Sequence, residues 1–144
     1  MVEQDTVRLL RECDAGVKMG VSALSEVLGS AQGETLRSML SSNRQKHEEL
    51  SASIEAALDR FHDEGKKPNP MAKTMSTVKT NMELMMKPTD ATIADLIIDG
   101  CNMGVKSLSK YLNEYKAADE SAKDICKKLI ALEETLSKEL RGYL

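Results

Sequence analysis

The 144-residue chain has no tryptophan, one phenylalanine and three tyrosines. A core without rings has to be built from interdigitated aliphatic side chains, and Leu, Met, Ala, Val and Ile suit helices better than a sheet of β-branched and aromatic residues does. An excess of positive charge is also missing: 20 Lys and Arg stand against 23 Asp and Glu, for a formal net charge of −3. That balance removes the sequence-independent attraction to phosphate and excludes nucleic acid as the expected partner. No apolar run approaches the roughly 20 residues a bilayer span needs. The opening Met1-Val2-Glu3-Gln4-Asp5 has neither a basic nor an apolar leader segment, so the expectation is a cytoplasmic protein with no membrane partner. Cysteine is scarce and odd in number: Cys13, Cys101 and Cys126 share no C-x-x-C spacing. This argues against a disulfide framework or a zinc knuckle and for reduced thiols in small core positions.

Proline occurs only at positions 68, 70 and 88, which leaves two long uninterrupted stretches on either side. Both carry helical periodicity. In the first, Leu10, Asp14, Val17, Val21, Leu24 and Leu28 are spaced alternately by four and three residues, which keeps them on one helix face. Asp5 is a suitable N-cap for this helix, and Gly29-Ser30 a suitable reversal. The second helix carries Leu36, Leu40, Asn43, His47, Leu50, Ile54, Ala57 and Phe61 in the same pattern, with an expected end near Glu64 and Gly65 as its C′ residue. Ala94, Ile98, Cys101, Val105, Leu108 and Leu112 define a third helix, capped around Thr89-Asp90 and ending near Tyr115. Ile125, Leu129, Leu132, Leu136 and Leu140 define a fourth, after a turn over Lys116 to Asp119. Between Pro70 and Pro88 lies a shorter helical pattern, Met75, Val78, Met82 and Met85, long enough at about 1.5 Å per residue to cross a bundle. Its apolar face is expected to lie buried against the other helices.

The first and third helices share more than a period. Met19-Gly20-Val21-x-x-Leu24-Ser25-x-x-Leu28 recurs as Met103-Gly104-Val105-x-x-Leu108-Ser109-x-x-Leu112, six identities in register. Two helical hairpins joined by a long crossover is the layout of ferritin-like bundles. The chain resembles a group of small bacterial ferritin-like proteins through Asp63-Glu64-Gly65-Lys66-Lys67-Pro68-Asn69-Pro70-Met71-Ala72-Lys73 and through Ile93-Ala94-Asp95-Leu96 and Asp99-Gly100-Cys101-Asn102-Met103-Gly104-Val105-Lys106-Ser107-Leu108. The resemblance covers nearly the whole chain. It implies one all-α domain over residues 1–144, an antiparallel four-helix bundle with a short helix in the crossover between helices 2 and 3, and no activity.

A carboxylate-bridged two-metal bundle needs a Glu from each of two helices and a Glu-x-x-His from each of the others. Here Arg44 stands three residues before His47, a permanent cation where a ligand is required, and the fourth helix has no histidine. His47-Glu48-Glu49-Leu50-Ser51 opens like a zincin helix but has Ser51 where the second imidazole must stand. No catalytic residue, cofactor or confident metal site follows. The residual candidates are Asp14 and His47, which a hairpin reversing at Ser30 would bring level as a buried hydrogen-bonded pair. Glu133 and Glu134 follow the stripe residue Leu132 and are expected at the edge of the bundle or in solvent. His62 is read as a cation favoured at the end of helix 2, and Gly20 and Gly104 as positions of close helix approach. The methionines at 71, 75, 82, 85 and 86 suggest an adaptable surface or soft-metal ligands. The resulting expectation is a non-enzymatic bundle acting through protein contacts as a homo-oligomer, with a weak metal-binding or redox protein as the alternative.

Overall fold

The structure, a computed structural model, describes residues 2–68 and 80–144. It is all-α, with four long helices: α1 Val2–Leu28, α2 Glu34–Asp59, α3 Asp90–Glu114 and α4 Glu120–Leu140, followed by a 3-10 turn over Arg141–Tyr143. Residues 80–86 are also helical, while Met71, Met75 and Val78 of the expected connector helix lie outside the described residues. No described helix is long and apolar enough to cross a membrane.

The helices pack along the faces their spacing defines. Leu10, Asp14, Val17 and Leu24 are buried on α1, and Leu36, Leu40, Asn43, His47, Ile54 and Ala57 on α2. Helix α1 packs against α2, and α3 against α4, as two antiparallel hairpins; α1 also touches α3 and α4, and α2 touches α4.

The ends of the hairpins are tied crosswise by acid side chains. The Asp90 carboxylate, at the start of α3, accepts the N–H groups of Gln32 and Gly33 in the α1–α2 turn at 2.8 and 2.9 Å. Gly33, the N-cap of α2, makes no side-chain cap bond, and Asp90 from the other hairpin satisfies the N–H of Gly33 itself and of the residue before it. At the opposite end Asp5 accepts from Ala117 N–H at 3.0 Å, and the Thr6 hydroxyl accepts from Asp119 N–H at 2.8 Å. Asp5 is therefore not the N-cap of α1, which already begins at Val2. Its carboxylate is drawn to the free N–H groups of the α3–α4 turn instead. Thr89 and Asp119 do cap their own helices, accepting from Thr92 and Ala122 N–H.

Helix α2 stops at Asp59, earlier than the expected Glu64. Its end is a Schellman arrangement in which Asp63 N–H donates to Leu58 O at 3.1 Å and His62 N–H to Asp59 O at 3.0 Å. The left-handed C′ residue this demands is His62, with φ +54°, and not Gly65. His62 is exposed and lies past the last turn, so its place is set by backbone geometry and not by the helix dipole. Holding a non-glycine residue there costs about 1–2 kcal/mol. His62→Gly should raise stability by about 1 kcal/mol, read as a higher urea midpoint at unchanged m-value.

The connector's buried face also differs from expectation. Thr80 and Leu84 are buried, whereas Met82 and Met85 of the expected stripe point outward together with Met86. Leu84 belongs to the apolar cluster of Ala31, Leu36, Ile93 and Leu140, so the turn is rotated to place one leucine, in preference to the methionines, in the core.

Candidate functional site: a polar layer across the bundle

The core is not continuous. One apolar cluster holds Leu10, Val17, Ile54, Leu58, Leu108 and Leu129; the other holds Leu24, Leu40, Ile97, Cys101, Leu136 and Leu140. Between the two clusters Gly20 on α1 and Gly104 on α3 face the buried polar side chains of His47 on α2 and Glu133 on α4, with Val21 and Val105 half-buried beside the glycines. Each hairpin thus contributes one glycine and one long polar side chain to a layer halfway along the bundle, and the two glycines are the ones picked out by the internal repeat.

His47 is fully buried. Its Nδ1 lies 2.7 Å from the Asn43 carbonyl oxygen. A carbonyl can only accept, so Nδ1 carries a proton and donates it. Nε2 lies 2.7 Å from Glu133 Oε1. Burial opposes a charge on the imidazole, but the hydrogen bond to Glu133, the carboxylate's charge and the Asn43 carbonyl outweigh it and hold the pKa above the ordinary 6.5. With Nδ1 already donating to a carbonyl, the 2.7 Å contact between Nε2 and Oε1 needs a proton between them, so the layer is a buried hydrogen-bonded imidazole–carboxyl pair with both ring nitrogens engaged. Cys101 stands beside it. Burial, then the Glu133 charge, push this thiol far above its ordinary range and keep it protonated and unreactive.

The glycines create the space. A Cβ on Gly20 would lie 2.7 Å from His47 Cδ2 and 3.0 Å from Nε2, whereas one on Gly104 would meet Glu133 Oε2 only at 3.9 Å. What approaches Gly20 is an imidazole ring, not a helix backbone as the sequence suggested. The two repeats should therefore answer differently to one substitution. Gly20→Ala should destabilise by about 2 kcal/mol, because a ring held at both nitrogens cannot retreat. Gly104→Ala should stabilise by up to about 1 kcal/mol through helix propensity alone. Paired chemical denaturation curves check both.

The expected Asp14–His47 pair does not form. The α1–α2 turn occupies residues 29–33, and α2 is displaced along α1 so that His47 lies against Gly20 and not against Asp14. Asp14 lies six residues, about 9 Å of helix rise, further along. It is itself fully buried, and its Oδ2 accepts from Lys18 Nζ at 2.8 Å and from Lys66 N–H at 3.0 Å, while Oδ1 has no hydrogen-bond partner among the described residues. Two separate buried acids thus replace the single expected pair.

Glu133 is the residue sequence reasoning missed. An apolar stripe through Leu132 puts Glu133 at the edge, yet the buried positions of α4 run Ala122, Cys126, Leu129, Glu133, Leu136 and Leu140. This unbroken four-three series passes through the acid and leaves Leu132 at the flank. Glu134, its neighbour, is exposed as expected. The three cysteines are all free and buried, in keeping with a core role. Among the described residues no group of three His, Cys, Asp or Glu side chains is disposed to hold a metal ion together. No protein family, curated protein or solved structure matches the chain.

Proposed function

We propose that this chain is a ferritin-like bundle that works through protein contacts and self-associates, the buried polar groups of its middle serving the bundle itself. The topology supports the ferritin-like reading. Asp90 binds the turn at one end and Asp5 the turn at the other, so α2 finishes at the end opposite to where α3 begins, and the intervening chain has the whole bundle to traverse. Both ring nitrogens of His47 are engaged inside the bundle, which leaves its chemistry-bearing residue without a free lone pair.

The observation that carries the contact reading is the outward face of residues 80–86. Met82, Met85 and Met86 are 58%, 85% and 78% exposed, three flexible apolar side chains held against solvent by a turn anchored through Leu84. Methionine surfaces of this kind repack against partners, and a second copy presenting the same face gives a closed two-fold contact. Sedimentation velocity over a range of concentrations tests it. A monomer–dimer shift that Met82→Gln, Met85→Gln and Met86→Gln together abolish is the expected result; a monomer at every concentration overturns it.

A second reading, a weak metal-binding protein with a degenerate ferritin-type site, draws on His47 and Glu133 at the bundle's midpoint and requires the ion to displace the Nε2 proton between them. Elemental mass spectrometry on protein purified without chelator separates the two. Near-stoichiometric iron, manganese or zinc that disappears in His47→Ala favours the second reading, and background metal in both proteins the first.

A further inference from the structure

The exposed methionines have a chemistry that the contact reading does not use. Met82, Met85 and Met86 stand at positions i, i+3 and i+4 of the helical turn over 80–86. Met82 is the neighbour of both others at those spacings, with Cβ atoms about 5–6 Å apart, whereas Met85 and Met86, adjacent in sequence, diverge around the helix and can meet only through their long side chains, above Met82. Each is unbranched, with three rotatable bonds beyond the backbone, so three Sδ atoms can converge on a point above the turn without moving it. The opposite side of the turn is fixed: Thr80 and Leu84, also four apart, are buried, and Leu84 is packed into the apolar cluster that holds Ile93 and Leu140. Lys87 N–H continues the helical pattern to Glu83 O at 2.8 Å before Pro88 ends it. The three positions thus have a firm helical base and free side chains.

Residue choice distinguishes ligation from simple stickiness. Where an apolar side chain is needed only for its surface, Leu or Ile serves and loses less freedom on burial. Here all three exposed positions carry the single apolar residue that is also a ligand. Thioethers are soft donors that select Cu(I) over the harder divalent ions. The geometry points to a surface site for one monovalent soft cation, Cu(I), held by the thioether sulfurs of Met82, Met85 and Met86. No carboxylate or imidazole is required and no redox step is involved; the site binds the reduced ion and leaves its charge unchanged.

This inference is separable from the self-association reading, because leucine keeps the apolar surface and removes the sulfur. The test uses the full chain, anaerobically, titrated against the Cu(I)–bicinchoninate complex. The protein is expected to withdraw one equivalent of Cu(I), and the variant carrying Met82→Leu, Met85→Leu and Met86→Leu to lose at least ten-fold in affinity while its sedimentation behaviour stays unchanged. Methyl NMR with Ag(I), a redox-inert substitute, reads the ligands directly in the unaltered protein: only the methyls of Met82, Met85 and Met86 should shift, and not that of Met103, which is also exposed. Undiminished binding by the leucine variant would assign the ion to the buried cysteines and overturn the proposal. So would the absence of binding, or methyl shifts spread evenly over all methionines.

Discussion

Glu133→Ala should cost about 3 kcal/mol of folding free energy near neutral pH, more than any other single change in the middle of the bundle. The size follows from what is left behind. Removing one member of a buried pair leaves the other charge uncompensated, which costs about 3–5 kcal/mol when burial is complete. His47 is wholly enclosed and Glu133 retains slight exposure, which places the estimate at the lower end. His47 then either stays charged without a counter-ion or gives up the Nε2 proton, and both lose the bond to Oε1. Replacing both partners by apolar residues, His47→Met with Glu133→Met, should recover most of the loss, because no charge remains to be buried. Equilibrium urea denaturation of the single and double variants measures the difference. A double variant as unstable as Glu133→Ala would mean that shape and not charge governs the layer.

The same pair sets a pH dependence with a definite sign. The folded protein holds the His47 pKa above 6.5, so it retains a proton that the unfolded chain gives up. Stability from this group is fully present below the unfolded value and is lost as pH rises through the folded one. The unfolding free energy should therefore fall from about pH 6.5 upward and level off above the raised pKa. The apolar double variant should lack that segment of the profile. An identical fall in both would assign it to other groups. The groups against the imidazole are Glu133 from α4, the Asn43 carbonyl of its own helix and Gly20 from α1, while Cys101 and Gly104 of α3 lie against the Glu133 carboxyl. Cys101 holds its proton throughout this range, so the profile reports the pair.

How far the sequence carries an observer depends on the kind of residue. The α1 and α2 faces were readable to within a turn because aliphatic side chains repeat at helical spacing, and the buried Asp14, Asn43 and His47 fell out of the same count. The repeat marked Gly20 and Gly104. What it did not yield was the fourth member of the layer. An apolar count discards an acid, although the spacing from Leu129 to Leu136 passes through position 133. Partners across helices were harder still. Level along a hairpin depends on turn length and on how the helices slide, and a shift of one and a half turns was enough to exchange Asp14 for Gly20 opposite the imidazole. The end of α2 failed for another reason. Glycine is the usual left-handed residue, which points to Gly65, and Gly65 does have φ +86°. Its left-handed conformation serves the loop beyond the helix, where its lack of a side chain has a separate use.

That use is the basis for the second large effect. Gly65→Ala should destabilise by about 3 kcal/mol, although the position is only partly buried. A β-carbon there would lie 3.0 Å from Asp14 Cγ and closer still to Oδ2. The backbone at φ +86° adds the ordinary left-handed penalty of about 1–2 kcal/mol. Asp14 cannot withdraw, because its Oδ2 is held by Lys18 Nζ and by Lys66 N–H from the adjoining residue of the loop. Lys66 Nζ is in turn bonded to Glu12 at 2.6 Å, and Asp63 Oδ1 accepts from Gly65 N–H at 2.8 Å. The loop leaving α2 is thus folded down over a buried carboxylate through its own backbone, and only glycine permits that approach. The clash and the strain separate in a double-mutant cycle with Asp14→Ala. Removing the carboxylate eliminates the clash but leaves the dihedral cost, so the double variant should be more stable than the sum of the two losses implies, by about 1–2 kcal/mol of coupling. Additive losses would mean that Gly65 is required for its backbone angle alone and that the loop's grip on Asp14 contributes little.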